Sequence, residues 1–367
     1  MKKVKVGIIG CGNISPIYLK NLKLFKAVDL VAVSDLDMKR ASIKAEEFSI
    51  PHVFSPENLL REKEIGIIVN LTIPKAHREV ALASISAGKS VYNEKPLAVT
   101  RNDGEKIILA ARKKGVLVGC APDTFMGAGI QTCRKILESG LLGRPVAATA
   151  FMACPGHESW HPAPEFYYQK GGGPLLDMGP YYITALVNLL GPVKRVTASA
   201  QISYKERLIT SQPKKGKRIK VEVPTHVAGV LDFKAGVVVS LITSFDVKAS
   251  ALPIIEIYCE GGTIAVPDPN TFGGPVKIKK WKENAWEEIP LAFGYAENSR
   301  GLGVADMACA LMSGRKHRAS GDLAFHVLDI MQSLHEASVK GKHIILESTC
   351  AKPAPMKTGL KPFELEK

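Results

Sequence analysis

The stretch that most constrains the fold of this chain is its opening, where an apolar run over residues 4–9 meets Gly10-Cys11-Gly12-Asn13-Ile14-Ser15. The run predicts a buried strand, and apolar residues at helical spacing up to Leu22 predict a helix directly after the glycines. A strand, a tight glycine turn and a helix are the context that the dinucleotide-binding fingerprint requires. Ser15 stands at the third fingerprint position, a modest departure because a small residue still permits close packing of helix and strand.

A carboxylate at the end of the second predicted strand strengthens this interpretation. Asp35 closes the segment LVAVSD, twenty residues after Ser15. An acid at this position accepts hydrogen bonds from the adenosine ribose and repels a 2′-phosphate. Asp35 therefore favours NAD, whereas the nearby Lys39 and Arg40 would suit the 2′-phosphate of NADP. The sequence predicts NAD as the cofactor and keeps NADP as the alternative.

The length and the order of the predicted elements indicate two domains. With 367 residues the chain is longer than one hydrophobic core usually organises. Strands alternate with helices up to Cys120, which predicts a doubly wound parallel sheet. Residues 195–286 carry short alternating strands instead, which predicts an open, mostly antiparallel sheet with helices. We expect a Rossmann domain over residues 1–121 and a substrate-binding and oligomerisation domain over residues 122–367.

Charge and cysteine usage argue against several classes of protein. The net charge of +14 suits an anionic cofactor, but the densest basic run, 213–220, contains no aromatic residue and predicts a solvated hairpin tip, not a nucleic-acid site. Seven scattered cysteines predict reduced thiols. Cys154 and His157 resemble half of a metal site, but no second pair stands at ligand spacing, so no metal is expected. The apolar runs are too short to span a membrane, and the first strand starts too early to leave room for a signal peptide, which predicts a cytoplasmic protein.

A lysine follows the fifth predicted strand of the first domain, in the segment Asn93-Glu94-Lys95-Pro96. Ligands of open parallel sheets lie at the carboxyl ends of the strands, so Lys95 is expected on the rim of the nucleotide crevice. Pro96 fixes the local backbone and is compatible with a cis bond. The predicted cofactor contacts are Gly10, Gly12, Asn13, Ile14, Asp35, Thr72, Ile73, Pro74, His77, Glu94 and Lys95.

A second cluster of functional candidates begins with three glycines at 171–173 and opens a helix that ends before Gly191. It contains an acid, Asp177, and a phenol, Tyr181. Asp177 could serve only as a helix cap and Tyr181 only as a core aromatic. The coincidence of glycine turns, an acid and a phenol beside a crevice that carries a lysine favours the functional interpretation.

The sequence resembles the Gfo/Idh/MocA oxidoreductases over nearly its whole length. The resemblance rests on GIIGCGNIS, on the acid in VAVSDLD, and on three longer blocks: NLTIPKAHREVALASISAGKSVYNEKPLAVT, GGGPLLDMGPYYITALVNLLGPV and RGLGVADMACALMSGRKHRASGDLAFHVLD. It implies a Rossmann domain that holds NAD or NADP tightly and an open sheet used to form homodimers or homotetramers. It also implies that Lys95 and Asp177 are catalytic.

The resemblance is imperfect at one catalytic position. Many members carry a histidine acid/base four residues after the aspartate, where this chain has Tyr181. Some relatives carry tyrosine there, so we expect Tyr181 to be catalytic. Because an unperturbed phenol has a pKa of about 10, Tyr181 would need a nearby cation to act as a base, and Lys95 is the candidate. Thr184 stands where members often have Asp, which weakens any transfer of substrate preference from the inositol dehydrogenases.

The segment 151–168, FMACPGHESWHPAPEFYY, supplies groups that bind sugars. An aromatic loop packed on a domain interface would have a similar composition, so both interpretations stay open. Members that share the DMGPYY form are associated with oxidation of sugars or glycosides, and Asp123 is expected to hold a neutral polyol. The predicted substrate contacts are Lys95, Asp123, His157, Trp160, His161, Asp177 and Tyr181.

These features predict an NAD(P)-dependent dehydrogenase that acts on a secondary hydroxyl of a sugar, glycoside or cyclic polyol. Lys95 would bind the reacting oxygen while Tyr181, oriented by Asp177, accepts its proton. One alternative is an NAD-dependent enzyme that cleaves glycosides by an oxidation and elimination cycle. Another is a non-enzymatic sugar or nucleotide sensor on the same fold.

Overall fold

The computed structural model describes residues 3–366, and its first sheet is parallel, as the sequence predicted. Six strands lie in the order β3-β2-β1-β4-β5-β6. The order reverses between β1 and β4, which opens a crevice at their carboxyl ends. The strands are β1 Val4–Ile9, β2 Val28–Ser34, β3 His52–Val53, β4 Ile65–Asn70, β5 Ser90–Asn93 and β6 Val118–Cys120. The helices are α1 Ser15–Leu22, α2 Met38–Phe48, α3 Pro56–Arg61, α4 His77–Ser86 and α5 Arg101–Lys114.

The rest of the chain builds a second sheet of nine strands, in the order β16-β15-β14-β13-β7-β12-β11-β8-β17, and a separate hairpin of β9 and β10. The strands are β7 Pro145–Ala153, β8 Val193–Gln201, β9 Glu206–Leu208, β10 Arg218–Lys220, β11 His226–Phe233, β12 Val238–Ser244, β13 Ile255–Cys259, β14 Gly262–Val266, β15 Val276–Lys280, β16 Glu287–Ile289 and β17 Ile344–Ile345. The helices are α6 Ala128–Glu138, α7 Pro174–Asp177, α8 Gly179–Leu190, α9 Leu302–Ser313 and α10 Gly321–Lys340.

Within this second sheet, one strand pair departs from the antiparallel pattern. β12 runs parallel to β7, with Ser240 opposite Thr149, and the other neighbouring pairs are antiparallel. The prediction of a mostly antiparallel sheet is therefore confirmed, and the mixed pair is the addition. The basic run 213–220 lies in and beside the β9–β10 hairpin, as expected for a solvated hairpin tip.

The two faces of the second sheet differ in burial. Along β12, Val239 and Leu241 point into the core, while Val238 and Ser240 are exposed on the other side. This alternation is that of a sheet with one covered and one open face. The helices α8 and α10 cover the inner face. A shallow depression of about 370 Å³ lies on the sheet between Phe151, Thr197 and Ile242.

Three further features bear on the functional classes. All seven cysteines lie within the described residues and are free thiols. Residues 3–366 contain no group of three His, Cys, Asp or Glu side chains arranged to hold a metal ion. Over the same span, the helices are all too short or too polar to cross a bilayer.

Candidate active site

The glycine turn after β1 has the geometry of a dinucleotide cradle. Gly10 has a φ of +105°, and a Cβ there would lie 2.6 Å from the Leu71 carbonyl carbon, so only glycine fits. At Gly12 a Cβ would meet no described heavy atom within 4 Å, so the space above the turn is open. Ser15 is buried and donates its hydroxyl hydrogen bond to the Gly12 carbonyl at 2.8 Å, which closes the turn. The free N–H groups at the start of α1 suit a pyrophosphate, so these residues fit the predicted cofactor.

Asp35 lies beside this turn, at the end of β2. Its carboxylate accepts hydrogen bonds from the backbone N–H groups of Cys11 (2.8 Å) and Asp37 (2.9 Å), and only 8% of the residue is exposed. The guanidinium of Arg40 lies 3.7 Å from the same carboxylate and is half exposed. The edge of the crevice therefore presents both a carboxylate, from Asp35, and a guanidinium cation, from Arg40, to an adenosine ribose.

Two predicted cofactor segments, the turns after β4 and β5, are braced together by His77. Its Nδ1 lies 2.7 Å from the Pro96 carbonyl oxygen, and its Nε2 lies 3.0 Å from that of Thr72. The imidazole is fully buried and both ring nitrogens contact backbone carbonyls, so the structure shows a bracing role for His77, and its contact with the cofactor stays a prediction. Burial lowers the pKa of His77. Its role is to fix Thr72 and Ile73, which border the crevice and of which Ile73 is 67% exposed.

Glu94 connects the glycine helix to the catalytic candidates. Its Oε1 accepts a hydrogen bond from the hydroxyl of Tyr18 on α1 at 2.8 Å, and its Oε2 accepts one from the backbone N–H of Lys95 at 2.8 Å. The carboxylate is 8% exposed. The backbone at Lys95 is thereby tied to the helix that follows the glycines, and the Lys95–Pro96 peptide bond is cis.

Lys95 and Asp177 form an ion pair between the two domains. The Lys95 ammonium donates hydrogen bonds to Asp177 Oδ1 and to the Asp177 carbonyl oxygen, both at 2.7 Å. Each side chain is 18% exposed. Burial by itself lowers the pKa of Lys95, but Asp177 and Tyr181 outweigh it and hold the pKa above its ordinary value. Burial by itself raises the pKa of Asp177, but Lys95 outweighs it and holds that pKa at about 2. Both groups are therefore charged near neutrality.

Tyr181 lies beside this pair, and its ring faces the Lys95 ammonium. Lys95 Nζ is 5.4 Å from the ring centroid, a cation–π contact. Burial raises the pKa of the Tyr181 hydroxyl, and the cations Lys95 and Arg300 only partly offset this effect. Arg300 also donates a hydrogen bond to Asn270 Oδ1 at 2.7 Å. The cation that was expected to activate the phenol is present, but it does not bring the pKa below 10.

The aromatic loop after β7 reaches the same carboxylate from the opposite side. His157 Nε2 lies 3.6 Å from Asp177 Oδ2. The His157 ring is packed against Tyr167 (centroids 3.9 Å apart), Phe245 (4.6 Å) and Trp160 (5.4 Å). The Trp160 ring also contacts the His161 ring, and Trp160 is 62% exposed. The structure thus brings His157 to the ion pair and leaves Trp160 at the rim.

Asp123 is the one predicted substrate contact that the structure removes from the site. Its Oδ2 accepts hydrogen bonds from the backbone N–H groups of Gly301 and Gly303, both at 2.9 Å, and the residue is 1% exposed. Asp123 therefore caps the start of α9. Burial raises its pKa to about 6, although the two amides stabilise the charged form. In this structure the Asp123 carboxylate is therefore engaged by backbone amides and does not line the site, and its contact with a substrate stays a prediction.

This capping role gives a prediction about stability. Replacing Asp123 by Ala is expected to lower the free energy of unfolding by about 2 kcal/mol, because two buried amides lose their acceptor. Asp123→Asn keeps one acceptor oxygen, so its loss of unfolding free energy should be less than half of that in Asp123→Ala. Urea unfolding of both variants measures this. If Asp123→Asn is as stable as the wild type but has lost turnover, the result would instead support the predicted contact between Asp123 and the substrate.

Several residues at the site were not predicted from the sequence. Tyr167 and Phe245 hold the His157 ring, Tyr18 anchors Glu94, and Arg300 lies next to Tyr181. Tyr18 stands at helical spacing from the glycine turn, which was a usable signal for its position. Phe245 and Arg300 come from distant segments, and no local pattern marks them.

Two family models match the chain. One, described as an oxidoreductase family with an NAD-binding Rossmann fold, matches residues 4–121. The other, described as a GFO/IDH/MocA C-terminal domain, matches residues 130–265. Both matches are to parts of one oxidoreductase family; the first covers the parallel sheet, and the second covers the second sheet from β7 into β14.

Individual proteins with similar sequence or structure include sugar and inositol enzymes. A 1,5-anhydro-D-fructose reductase from Ensifer adhaerens is 32% identical over 177 residues, which cover 47% of this chain and 52% of the relative. An inositol 2-dehydrogenase from Salmonella paratyphi B is 32% identical over 152 residues, which cover 39% of this chain and 44% of the relative. The chain thus spans about half the length of the curated relatives it matches.

A solved structure of levoglucosan dehydrogenase, in complex with NADH and L-sorbose, has the same fold. Its TM-score is 0.81 at 19% sequence identity, covering 95% of this chain and 100% of that one. At this identity the similarity establishes the fold alone.

Proposed function

Because the chain belongs to the Gfo/Idh/MocA family of NAD-binding oxidoreductases, we propose that it oxidises a secondary hydroxyl of a sugar, glycoside or cyclic polyol, or catalyses the reverse reduction. The observation that carries this proposal is the Lys95–Asp177 ion pair at the edge of the nucleotide crevice. The relatives described as sugar and inositol dehydrogenases and reductases support the substrate class.

The residues divide the chemical work between them. A bound nicotinamide supplies the hydride acceptor or donor. Gly10, Gly12 and Asp35 would hold the cofactor through its pyrophosphate and ribose. The Lys95 ammonium would donate a hydrogen bond to the reacting oxygen and stabilise the negative charge that develops there. Asp177 keeps Lys95 protonated and oriented.

The rim of the site supports a neutral carbohydrate as substrate. Trp160 is largely exposed and packs against His157, which in turn contacts Asp177. An exposed indole suits the C–H face of a sugar ring, and His161 lies next to it. The DMGPYY form at 177–182 further suggests the subfamily that acts on sugars or glycosides.

We extend the proposal to the assembly and the compartment. The open face of the second sheet is suited to a homodimer or homotetramer, and the domain boundary is proposed to lie after residue 121. The seven free cysteines favour the reducing environment of the cytoplasm.

A substrate screen tests the activity. The purified protein is incubated with NAD and a panel of sugars, glycosides and inositols, and NADH formation is followed by absorbance. We expect NADH with at least one member of the panel. Release of a sugar without net NADH would identify the glycoside-cleaving alternative. Ligand binding with neither product would identify a sensor.

The acid at the cofactor edge gives a second prediction. We expect the wild type to bind NAD more tightly than NADP, and Asp35→Ser to narrow or reverse the difference by about tenfold, because the repulsion of the 2′-phosphate is lost. Arg40→Ala should weaken NADP more than NAD. Fluorescence titration with both cofactors measures these constants. A wild-type preference for NADP above tenfold would contradict the assignment.

A further inference from the structure

We propose that His157 exchanges the proton with the substrate hydroxyl, in place of Tyr181 or Lys95. This assignment rests on the proposed oxidoreductase function and deepens it. It comes from the position of the imidazole, which the loop after β7 brings to the carboxylate of Asp177.

One carboxylate connects the two groups. Lys95 Nζ lies 2.7 Å from Asp177 Oδ1, and His157 Nε2 lies 3.6 Å from Asp177 Oδ2. The proposal places the substrate hydroxyl between these two groups, where it accepts a hydrogen bond from Lys95 and donates one to the imidazole. A general base must lie within hydrogen-bond reach of the proton it removes, and such contacts often tighten only when substrate binds.

The other two candidates are poorly suited to accept a proton near neutrality. A base works best when its pKa lies near the working pH. The pKa of Lys95 is raised by Asp177 in spite of burial, so the amine stays protonated. The pKa of Tyr181 is raised by burial, so the phenol stays neutral. Imidazole is the side chain whose intrinsic pKa, about 6.5, lies nearest to neutrality.

The surroundings of His157 fix the ring in one orientation. Tyr167 and Phe245 pack on it at centroid distances of 3.9 and 4.6 Å. Its Nδ1 is buried and has no hydrogen-bond partner among residues 3–366, so Nε2 is the nitrogen that faces the ion pair. The ring is 10% exposed, and rotation would have to displace aromatic neighbours. Such packing pre-organises a catalytic group.

A buried ionic network holds the backbone of His157 in place. The His157 N–H donates a hydrogen bond to the hydroxyl of Tyr168 at 3.2 Å, which donates to Glu158 Oε2 at 2.5 Å. Arg207, on β9, donates to Glu158 Oε1 at 2.9 Å and also pairs with Asp246. The loop that carries His157 is therefore anchored to the second domain by charged and hydrogen-bonded contacts.

This placement compensates for the departure from the family pattern. The family's usual histidine would stand on α8, four residues after Asp177, and that position is Tyr181. His157 supplies an imidazole to the same carboxylate from a different segment. The site therefore contains a histidine next to Asp177, but this histidine comes from the loop after β7 and not from α8.

The proton step balances as follows. In the oxidation direction neutral His157 carries its proton on Nδ1, the substrate O–H bond breaks, and the substrate proton binds the unprotonated Nε2. The C–H bond breaks with its electron pair, which leaves as hydride to the nicotinamide cofactor, and the C=O bond forms. The titratable groups around the imidazolium are Asp177 from α7, Lys95 beyond it, and His161 and Tyr167 from its own loop; Phe245 is neutral.

The kinetic test uses a substrate from the screen and NAD at saturating concentration. His157→Asn should lower kcat/KM on the order of 10²-fold and abolish the fall in rate on the acid side of the pH profile. NADH binding, measured by fluorescence, should stay within about twofold of the wild type. The matched control is His343→Asn, an exposed histidine after α10. Tyr181→Phe should keep the acid limb even where its rate falls. An acid limb that persists in His157→Asn, or disappears in Tyr181→Phe, would overturn the proposal.

A second readout does not depend on turnover. The nine histidines are labelled at Cε1, and the His157 signal is assigned by its absence in His157→Asn. We expect the chemical shift of this signal to change in Asp177→Asn, because the carboxylate that faces the ring is removed, and to stay the same in Asp322→Asn, which alters an exposed pair elsewhere. An unchanged chemical shift in Asp177→Asn would refute the contact. A wild type that binds NADH but oxidises nothing would overturn the proposed function, and the chemical shift would still decide the contact.

Discussion

Replacing Lys95 by Met is expected to lower turnover by about 10³-fold or more while the chain still binds NADH. Methionine has a similar length but cannot donate a hydrogen bond or carry a charge. The reacting oxygen would lose the ammonium that Asp177 holds in place at 2.7 Å. The glycine turn and Asp35, which lie at the other end of the crevice, do not depend on Lys95. Steady-state NADH formation and fluorescence titration of NADH measure the two effects separately.

A matched substitution controls for the loss of any lysine. Lys113→Met removes an exposed charge near the end of α5 and should leave turnover and NADH binding unchanged. Circular dichroism and thermal unfolding establish whether Lys95→Met is folded. Turnover of Lys95→Met within tenfold of the wild type would show that the ammonium does not stabilise the reacting oxygen, and the catalytic assignment would be wrong.

The positions of the proposed cofactor contacts were predictable because they depend on local structure. Gly10, Gly12 and Asp35 directly follow two adjacent strands, β1 and β2, and a strand followed by a glycine turn has few alternative folds. Lys95 was predictable for the same reason, since it directly follows β5. The sequence therefore carried both the parallel sheet and the position of the crevice.

Two of the predicted contacts have structural partners that the sequence did not reveal. Asp123 and His77 are polar residues near strand ends, where a side chain faces either the crevice or the backbone of a neighbouring segment. Asp123 accepts hydrogen bonds from Gly301 and Gly303, which lie far along the chain, and His77 braces two loops. Sequence spacing gives no information about these distant partners, so a structural role cannot be distinguished from ligand binding.

The contact between His157 and Asp177 was outside the reach of pattern analysis for a related reason. Both residues were singled out, but their contact depends on how the loop after β7 folds back over α7. That path is set by Tyr168, Glu158 and Arg207, of which Arg207 comes from a strand too short to be predicted. The parallel pairing of β7 with β12 was also hidden, because alternation reveals a strand but not its direction.

Replacing Asp177 by Asn is expected to impair both stability and turnover. The carboxylate has a pKa of about 2 in the folded protein, against about 3.9 in an unfolded chain, because Lys95 outweighs the effect of burial. A depressed pKa contributes stability that is present above the unfolded value and lost as the pH falls from about 4 to 2; the shift corresponds to about 2–3 kcal/mol. Asn would also leave the Lys95 cation unpaired, so a loss of about 3 kcal/mol is expected at pH 7. Turnover should also fall, because the Lys95 ammonium would lose the carboxylate that orients it.

The pH dependence of that loss separates pairing from simple packing. Lys95 has a raised pKa, so its share of the stability is present below about 10.4 and disappears as the pH rises through the folded value. The difference in unfolding free energy between wild type and Asp177→Asn should therefore be largest between about pH 5 and 9 and shrink toward both extremes. Urea unfolding at pH 3, 5, 7, 9 and 11 measures it. Asp322→Asn, which breaks an exposed pair with Arg112, is the control and should cost less than about 1 kcal/mol at every pH. A difference that stays constant with pH would mean that Asn disturbs only the packing. The ion pair between Lys95 and Asp177 would then not be what holds the Lys95 ammonium at the crevice.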